Sequence, residues 1–191
     1  MKRTITTVRK NWRQPQFWRN LFLYFWVFSL IGHIVELIWA PLGKMLGLNV
    51  SISSNMPLFA IAIPYGLGAV ALLLLLYPLV QKKRIGFVAT FFLSAIITAT
   101  VEFLCAALIV AVVGHNDYWD YSSQPFNLLG YTCLETSLLF GVGSVIMLWL
   151  VFPWTEKLLT RIRERHINIA FWLLFIGYIL SQIYIRIIKN L

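Results

Sequence analysis

The sequence predicts an all-α fold: a polytopic membrane helix bundle with five transmembrane helices, N-terminus in and C-terminus out. Three observations predict it. The first is composition: 60% of the 191 residues are hydrophobic and 12% are charged, where a soluble domain has about 45–50% apolar and about 25% charged residues. The second is segmentation. Apolar runs at about 21–42, 57–80, 86–113, 128–152 and 167–186 each reach the roughly 20 residues that a helix needs to cross hydrocarbon. The third is charge placement, because Lys and Arg fall between the runs and crowd alternate gaps.

Residues 1–20 form a basic cytoplasmic arm with Lys2, Arg3, Arg9, Lys10, Arg13 and Arg19 and no acid. Trp12, Phe17 and Trp18 suit the lipid interface. The apolar run that follows is too long for a cleavable signal and has no small-residue cleavage site. Residues 21–152 form a four-helix membrane core, 153–166 a second basic loop, and 167–191 a fifth transmembrane helix with a short tail. The arm, the loop at 81–85 and the loop at 153–166 together carry 13 Lys and Arg, and the opposite gaps carry three. The positive-inside rule then sets the orientation and puts residues 114–127 outside.

The net charge of +9 follows membrane topology and forms no basic face for nucleic acid. Cys105 and Cys133 fall inside apolar runs, with no CxxC and no zinc-type cluster, so neither a metal nor a cofactor is expected. No Walker A pattern occurs, so any ATP is bound by another chain. Asn49-Val50-Ser51 is an acceptor pattern of the kind that arises by chance in a bacterial chain.

Charges inside a span are costly and face the bundle interior. Glu36, Glu102 and Glu135 are such charges, and His33 shares a helix face with Glu36. From the helical rise, Glu36 lies about 9 Å below the outer end of its span, Glu135 about 10 Å, Tyr65 about 12 Å and Glu102 about 16 Å. All four fall beneath the polar-aromatic stretch Trp119-Asp120-Tyr121-Ser122, which predicts one outward-facing polar pocket. Thr90, Ser94, Thr98 and Glu102 make one polar stripe; Ser29, His33 and Glu36 make another. Gly130, Cys133, Ser137, Gly141 and Ser144 form a small-residue packing face. Pro64-Tyr65-Gly66-Leu67-Gly68 is expected to interrupt the second span and free carbonyls for a ligand or cation. Bland readings stand beside these. His33 and Glu36 satisfy each other, Trp119 and Tyr121 are belt aromatics, and Asp120 and Ser122 cap a turn.

At these residues the chain resembles the putative ABC-transporter type IV (CmpB-like) family of bacterial integral membrane proteins. Trp119-Asp120-Tyr121-Ser122, Pro125-Phe126-Asn127, Gly130 and Cys133-Leu134-Glu135 carry the resemblance, with Gly32, Glu36, residues 64–68 and Glu102 in support. It covers about residues 20–150, a span judged on motif matches. Two positions depart from the family pattern: Pro64 directly precedes Tyr65, and Tyr131 stands where an Arg is common. The resemblance implies a permease-like role in the inner (plasma) membrane.

The first functional expectation is a multi-pass transport or substrate-binding component. Its ligand would meet Glu36, Tyr65, Glu102, Trp119, Asp120, Tyr121, Ser122, Asn127 and Glu135, and a homo-oligomer or a separate ATPase subunit would complete it in the lipid bilayer. The second is an intramembrane enzyme acting on a lipid or lipid-linked substrate, with His33 as general base, Glu36 orienting it and Glu102 beside them, or with His33 and the glutamates holding a divalent metal. The third is a non-catalytic partner or sensor that holds anionic headgroups on its basic loops.

Overall fold

The computed structural model describes residues 13–45, 63–159 and 161–189, the last stretch without the side chains of 181, 182 and 184–189. The first five basic residues of the arm except Arg13, Trp12 and the 49–51 acceptor pattern lie outside the described residues. Most of the described chain is helical. The helices are α1 (Pro15–Met45), α2 (Ile63–Leu75), α3 (Tyr77–Gln81), α4 (Phe87–Val113), α5 (Leu134–Ile146), α6 (Phe152–Leu159) and α7 (Glu164–Lys189). A π-helical turn at Met147–Val151 joins α5 to α6. Among the described residues, three helical stretches are long and apolar enough to cross a membrane: Pro15–Met45, Phe87–Val113 and Leu134–Leu159.

Two expectations about the elements need correction. The fourth apolar run starts as helix at Leu134, not at 128. Before it, β1 (Asn127–Leu128) pairs antiparallel with β2 (Thr132–Cys133), with Asn127 opposite Cys133 and Leu128 opposite Thr132. The chain reverses here because Gly130 adopts φ +70° and Leu129 φ +56°, the left-handed region where a side chain is disfavoured. Gly130 and Cys133 therefore leave the small-residue helix face, which keeps Ser137, Gly141 and Ser144. The second correction concerns Pro64. It sits in the first described turn of α2, and residues 63–75, including Gly66 and Gly68, are continuous helix. The interruption comes later, at Leu76, where Pro78 in the first turn of α3 cannot donate to the preceding turn. The carbonyl that Pro64 would free belongs to residue 60, outside the described residues.

Contacts divide the chain into Tyr24–Pro153 as one compact unit, and Met1–Leu23 with Trp154–Leu191 as the other. In the larger unit α4 pairs most extensively with α5, and α2 packs on α4. The pairing is close because Gly141 faces the Phe91 ring and Ala95 Cβ, which an added Cβ would meet at 2.9 and 3.2 Å. The hydroxyls of Thr90, Ser94 and Thr98 bond back to carbonyls of their own helix, so the polar stripe can be buried without outside partners. Thr90 and Ser94 are fully buried. Gly32 and Gly66 let α1 and α2 touch: a Cβ on Gly32 would collide with the Tyr65 ring, and one on Gly66 with Ser29 and the Phe25 carbonyl.

The smaller unit is held by α7 against the start of α1. Arg19 is 9% exposed and binds Glu164 at 2.7 Å, with further hydrogen bonds to Asn168 and Asn20. A charged group with so little water needs such multiple partners. Phe22 meets Phe171 and Phe175 edge-on at 5.3 and 5.5 Å.

Candidate functional site

Glu102 is the centre of the site. It lies on the third turn from the end of α4, and 6% of its surface is exposed. Both carboxylate oxygens are used. The Tyr121 hydroxyl donates to Oε1 at 3.0 Å, and the Thr132 hydroxyl donates to Oε2 at 2.6 Å. These donors stand eleven residues apart at the two ends of one loop, so a single carboxylate staples that loop to the bundle. A hydrogen bond of this kind is worth about 0.5–1.5 kcal/mol.

Glu36 on α1 is the second carboxylate. The Tyr65 hydroxyl of α2 donates to it, and Glu102 is near enough to repel it. One Glu36 oxygen, Oε2, is buried with no hydrogen-bond partner. Tyr65 leans edge-on against Phe140 at 5.6 Å, which fixes its ring. His33 and Ser29, one and two turns earlier on α1, are 1% and 0% exposed. Glu36, Tyr65, Glu102 and Tyr121 thus come together from three helices and a loop, although 85 residues separate the first from the last.

The Trp119–Gly130 loop owes its shape to its own polar side chains. Asp120 Oδ1 accepts from the Ser122 N–H at 2.9 Å and from the Ser122 hydroxyl, a turn that Asp side chains make locally. These two bonds hold the Asp120 carboxyl below its ordinary value. Asn127 donates to the Ser122 and Gln124 carbonyls and accepts from the Gly130 N–H at 3.0 Å. Trp119 Nε1 donates to the Tyr131 carbonyl at 2.9 Å. Gly130 has no room for a side chain: an added Cβ would meet Ser122 Oγ at 2.5 Å and Asp120 Oδ1 at 2.9 Å. Burial, then the Glu102 charge, push the Tyr121 phenol far above its ordinary value, so it stays a donor.

The expected residues therefore divide. Glu36, Tyr65, Glu102 and Tyr121 are gathered in one network. Trp119, Asp120, Ser122 and Asn127 fold the loop that delivers Tyr121. Glu135 lies in the first turn of α5 and is exposed, because α5 starts six residues later than the hydropathy run; its depth of about 10 Å is corrected to the helix end. The network also includes Thr132, which was not among the expected site residues. The spacing of Asn127 and Gly130, a turn signal, marks the hairpin that aims Thr132 inward. No group of three metal-ligating side chains occurs among the described residues. A shallow open depression along Arg165, Asn168, Trp172 and Ile176 of α7 contains none of these residues.

Helices fit to span a bilayer, with two carboxylates gathered between them, define a helical membrane protein. The model of the putative ABC-transporter type IV family matches residues 23–185, and the chain belongs to that family. The match runs past the motif-bearing region through the fifth apolar run. The family is described as one of putative ABC-transporter components, and the apolar helices agree with a membrane transport protein. No curated protein and no solved structure matches the chain.

Proposed function

We propose that the protein is a permease-like component of a transporter, embedded in the plasma membrane by five spans, with the N-terminus inside and the C-terminus outside. Residues 21–152 are the membrane core and carry the ligand site. That site opens to the outer side and binds a small polar or amphipathic ligand at Glu36, Tyr65, Glu102 and Tyr121. The observation that carries this reading is the convergence of Glu36 and Glu102 from α1 and α4, each held by tyrosine hydroxyls from other elements. Intramembrane carboxylates at such a convergence are the groups that transporters use to bind substrate or carry protons. Five spans in 191 residues make only a small translocation path, so a second copy or a separate ATPase subunit completes the transporter.

The test compares the uptake and export profiles of cells that produce the wild-type chain with those of cells producing Glu36→Gln or Glu102→Gln at equal membrane levels. The expected outcome is at least a tenfold loss, in both variants, of whatever flux the wild type adds. Unchanged flux in both variants rejects the site.

A further inference from the structure

We propose that the hairpin Phe126–Leu134 is an interfacial wedge: it is seated in the bilayer at the end of the bundle, with Phe126, Leu128 and Leu129 against lipid acyl chains. The ligand of this surface is phospholipid, and the inference holds whatever the carboxylate site binds.

Exposure is the starting point. Phe126 is 82% exposed, Leu128 57% and Leu129 71%. Three large apolar side chains bunched within four residues are costly in water. Charge points the same way, because no Asp, Glu, Lys or Arg occurs from Tyr121 to Leu134. A surface meant for water or for a polar partner rim would carry some.

Level is fixed by the backbone. The Phe126 carbonyl accepts from the N–H of Leu134 at 3.3 Å, and Leu134 is the first residue of the Leu134–Leu159 stretch that is fit to span a membrane. Phe126 is therefore level with the first turn of that span. Its apolar surface continues a ridge that runs down α5 at helical spacing through Leu134, Leu138, Val142 and Ile146, all exposed. In a spanning helix such a ridge meets lipid. The hairpin extends it by one turn without being helical.

Non-helical backbone is tolerated at membrane depth only if its polar groups are satisfied within the protein. Many of this loop's polar groups meet that condition. Tyr121 N–H donates to the Gly130 carbonyl and Tyr131 N–H to the Leu128 carbonyl. Asn127 serves the Ser122 and Gln124 carbonyls and the Gly130 N–H, and the Trp119 indole serves the Tyr131 carbonyl. The backbone is also bent to present these side chains: Phe126 and Leu129 adopt φ +53° and +56°, where non-glycine residues are uncommon. Leu128 is exposed, while Thr132 across from it is buried on Glu102.

The experiment places a nitroxide label at Phe126→Cys, Leu128→Cys or Leu129→Cys, in a Cys105→Ser, Cys133→Ala background, in phosphatidylcholine–phosphatidylglycerol vesicles. Val142→Cys serves as the lipid reference and Asp117→Cys as the water reference. Collision with oxygen and with a water-soluble nickel chelate is read by electron paramagnetic resonance. The expected result is an oxygen-to-nickel ratio at 126, 128 and 129 several-fold above that at 117 and approaching that at 142. A ratio equal to that at 117 overturns the wedge. Protection from both reagents also overturns it and assigns the surface to a protein partner. Leu128 lies outside the left-handed positions, so its label reports even where a cysteine at 126 or 129 prevents folding.

Discussion

Within residues 24–153 the two ends of the helical unit are built on opposite physical terms. At one end Phe152 is fully buried and is met by Phe28, Tyr77 and Tyr24 with centroids 5.1, 5.5 and 5.8 Å away, all near-perpendicular. Phe87 stacks on Trp149 nearby on α4 and the π-helical turn, at 4.1 Å. At the other end Glu36, Tyr65, Glu102, Tyr121 and Thr132 are joined by directed hydrogen bonds. Along α4, Phe87 and Glu102 stand 15 residues apart, about 22 Å of rise. The aromatic end is held by area and shape, and tolerates any apolar side chain of similar volume. The carboxylate end has no such tolerance, since removing one partner strands another in a dry place. That difference supports the proposed ligand site at the carboxylate end.

The comparison breaks first at Phe152. Phe152→Ala should lower stability by about 3–5 kcal/mol, read by thermal unfolding in detergent, with little effect on the loop over Glu102. If the loop loosens as much as the core, the two ends are not separate. Next, Glu102→Ala should cost about 2–3 kcal/mol, since two buried hydroxyls lose their acceptor. It should also expose residues 118–131 to protease, whereas Glu102→Gln, which keeps an acceptor oxygen, should protect them better. Equal cleavage of both variants would mean that shape, not hydrogen bonding, holds the loop.

Gly130→Ala should cost about 1–2 kcal/mol through its left-handed backbone and the crowding against Ser122 and Asp120. Wild-type stability in this variant would show that the turn relaxes freely. Tyr121→Phe removes one hydrogen bond and should cost about 1 kcal/mol, seen as faster amide exchange in residues 119–123. The smallest effect concerns Asp120. Its carboxyl is depressed in the folded loop, so its contribution is present above the ordinary value of 3.8 and is lost as pH falls through the lower folded value. Loop protection should therefore drop only below about pH 4, and Ser122→Ala, which leaves only the backbone N–H bond, should weaken that dependence. A transition near neutral pH in Ser122→Ala would assign it to another group.

Several of these features were legible in the chain before any fold was known. The Trp119–Ser122 stretch and the intramembrane glutamates stood out because a charge in an apolar run has few reasons to be there. The start of the fourth helix did not stand out. Residues 128–133 are as apolar as those that follow, and hydropathy measures solvent preference without regard to backbone geometry. Thr132 was missed for the same reason. A hairpin and a helix bring different residues to the same face, and the period alone does not choose between them. Residues 64–68 looked like a break because proline and glycine are costly inside a helix, but residues 63–75 are continuous helix.

Composition and the spacing of apolar runs were enough to determine that this chain belongs in lipid, that its helices are long, and that Glu36 and Glu102 face inward. These are properties of each segment against its solvent, and each segment carries them alone. The tertiary structure decided which donors meet which carboxylate, that Asp120, Ser122 and Asn127 serve the loop, and that Glu135 stays at the helix end. Those outcomes depend on one hydrogen bond competing with another across 30 residues, as between Glu102 and Thr132, and on glycines that let helices approach. Only the packed chain resolves such a competition.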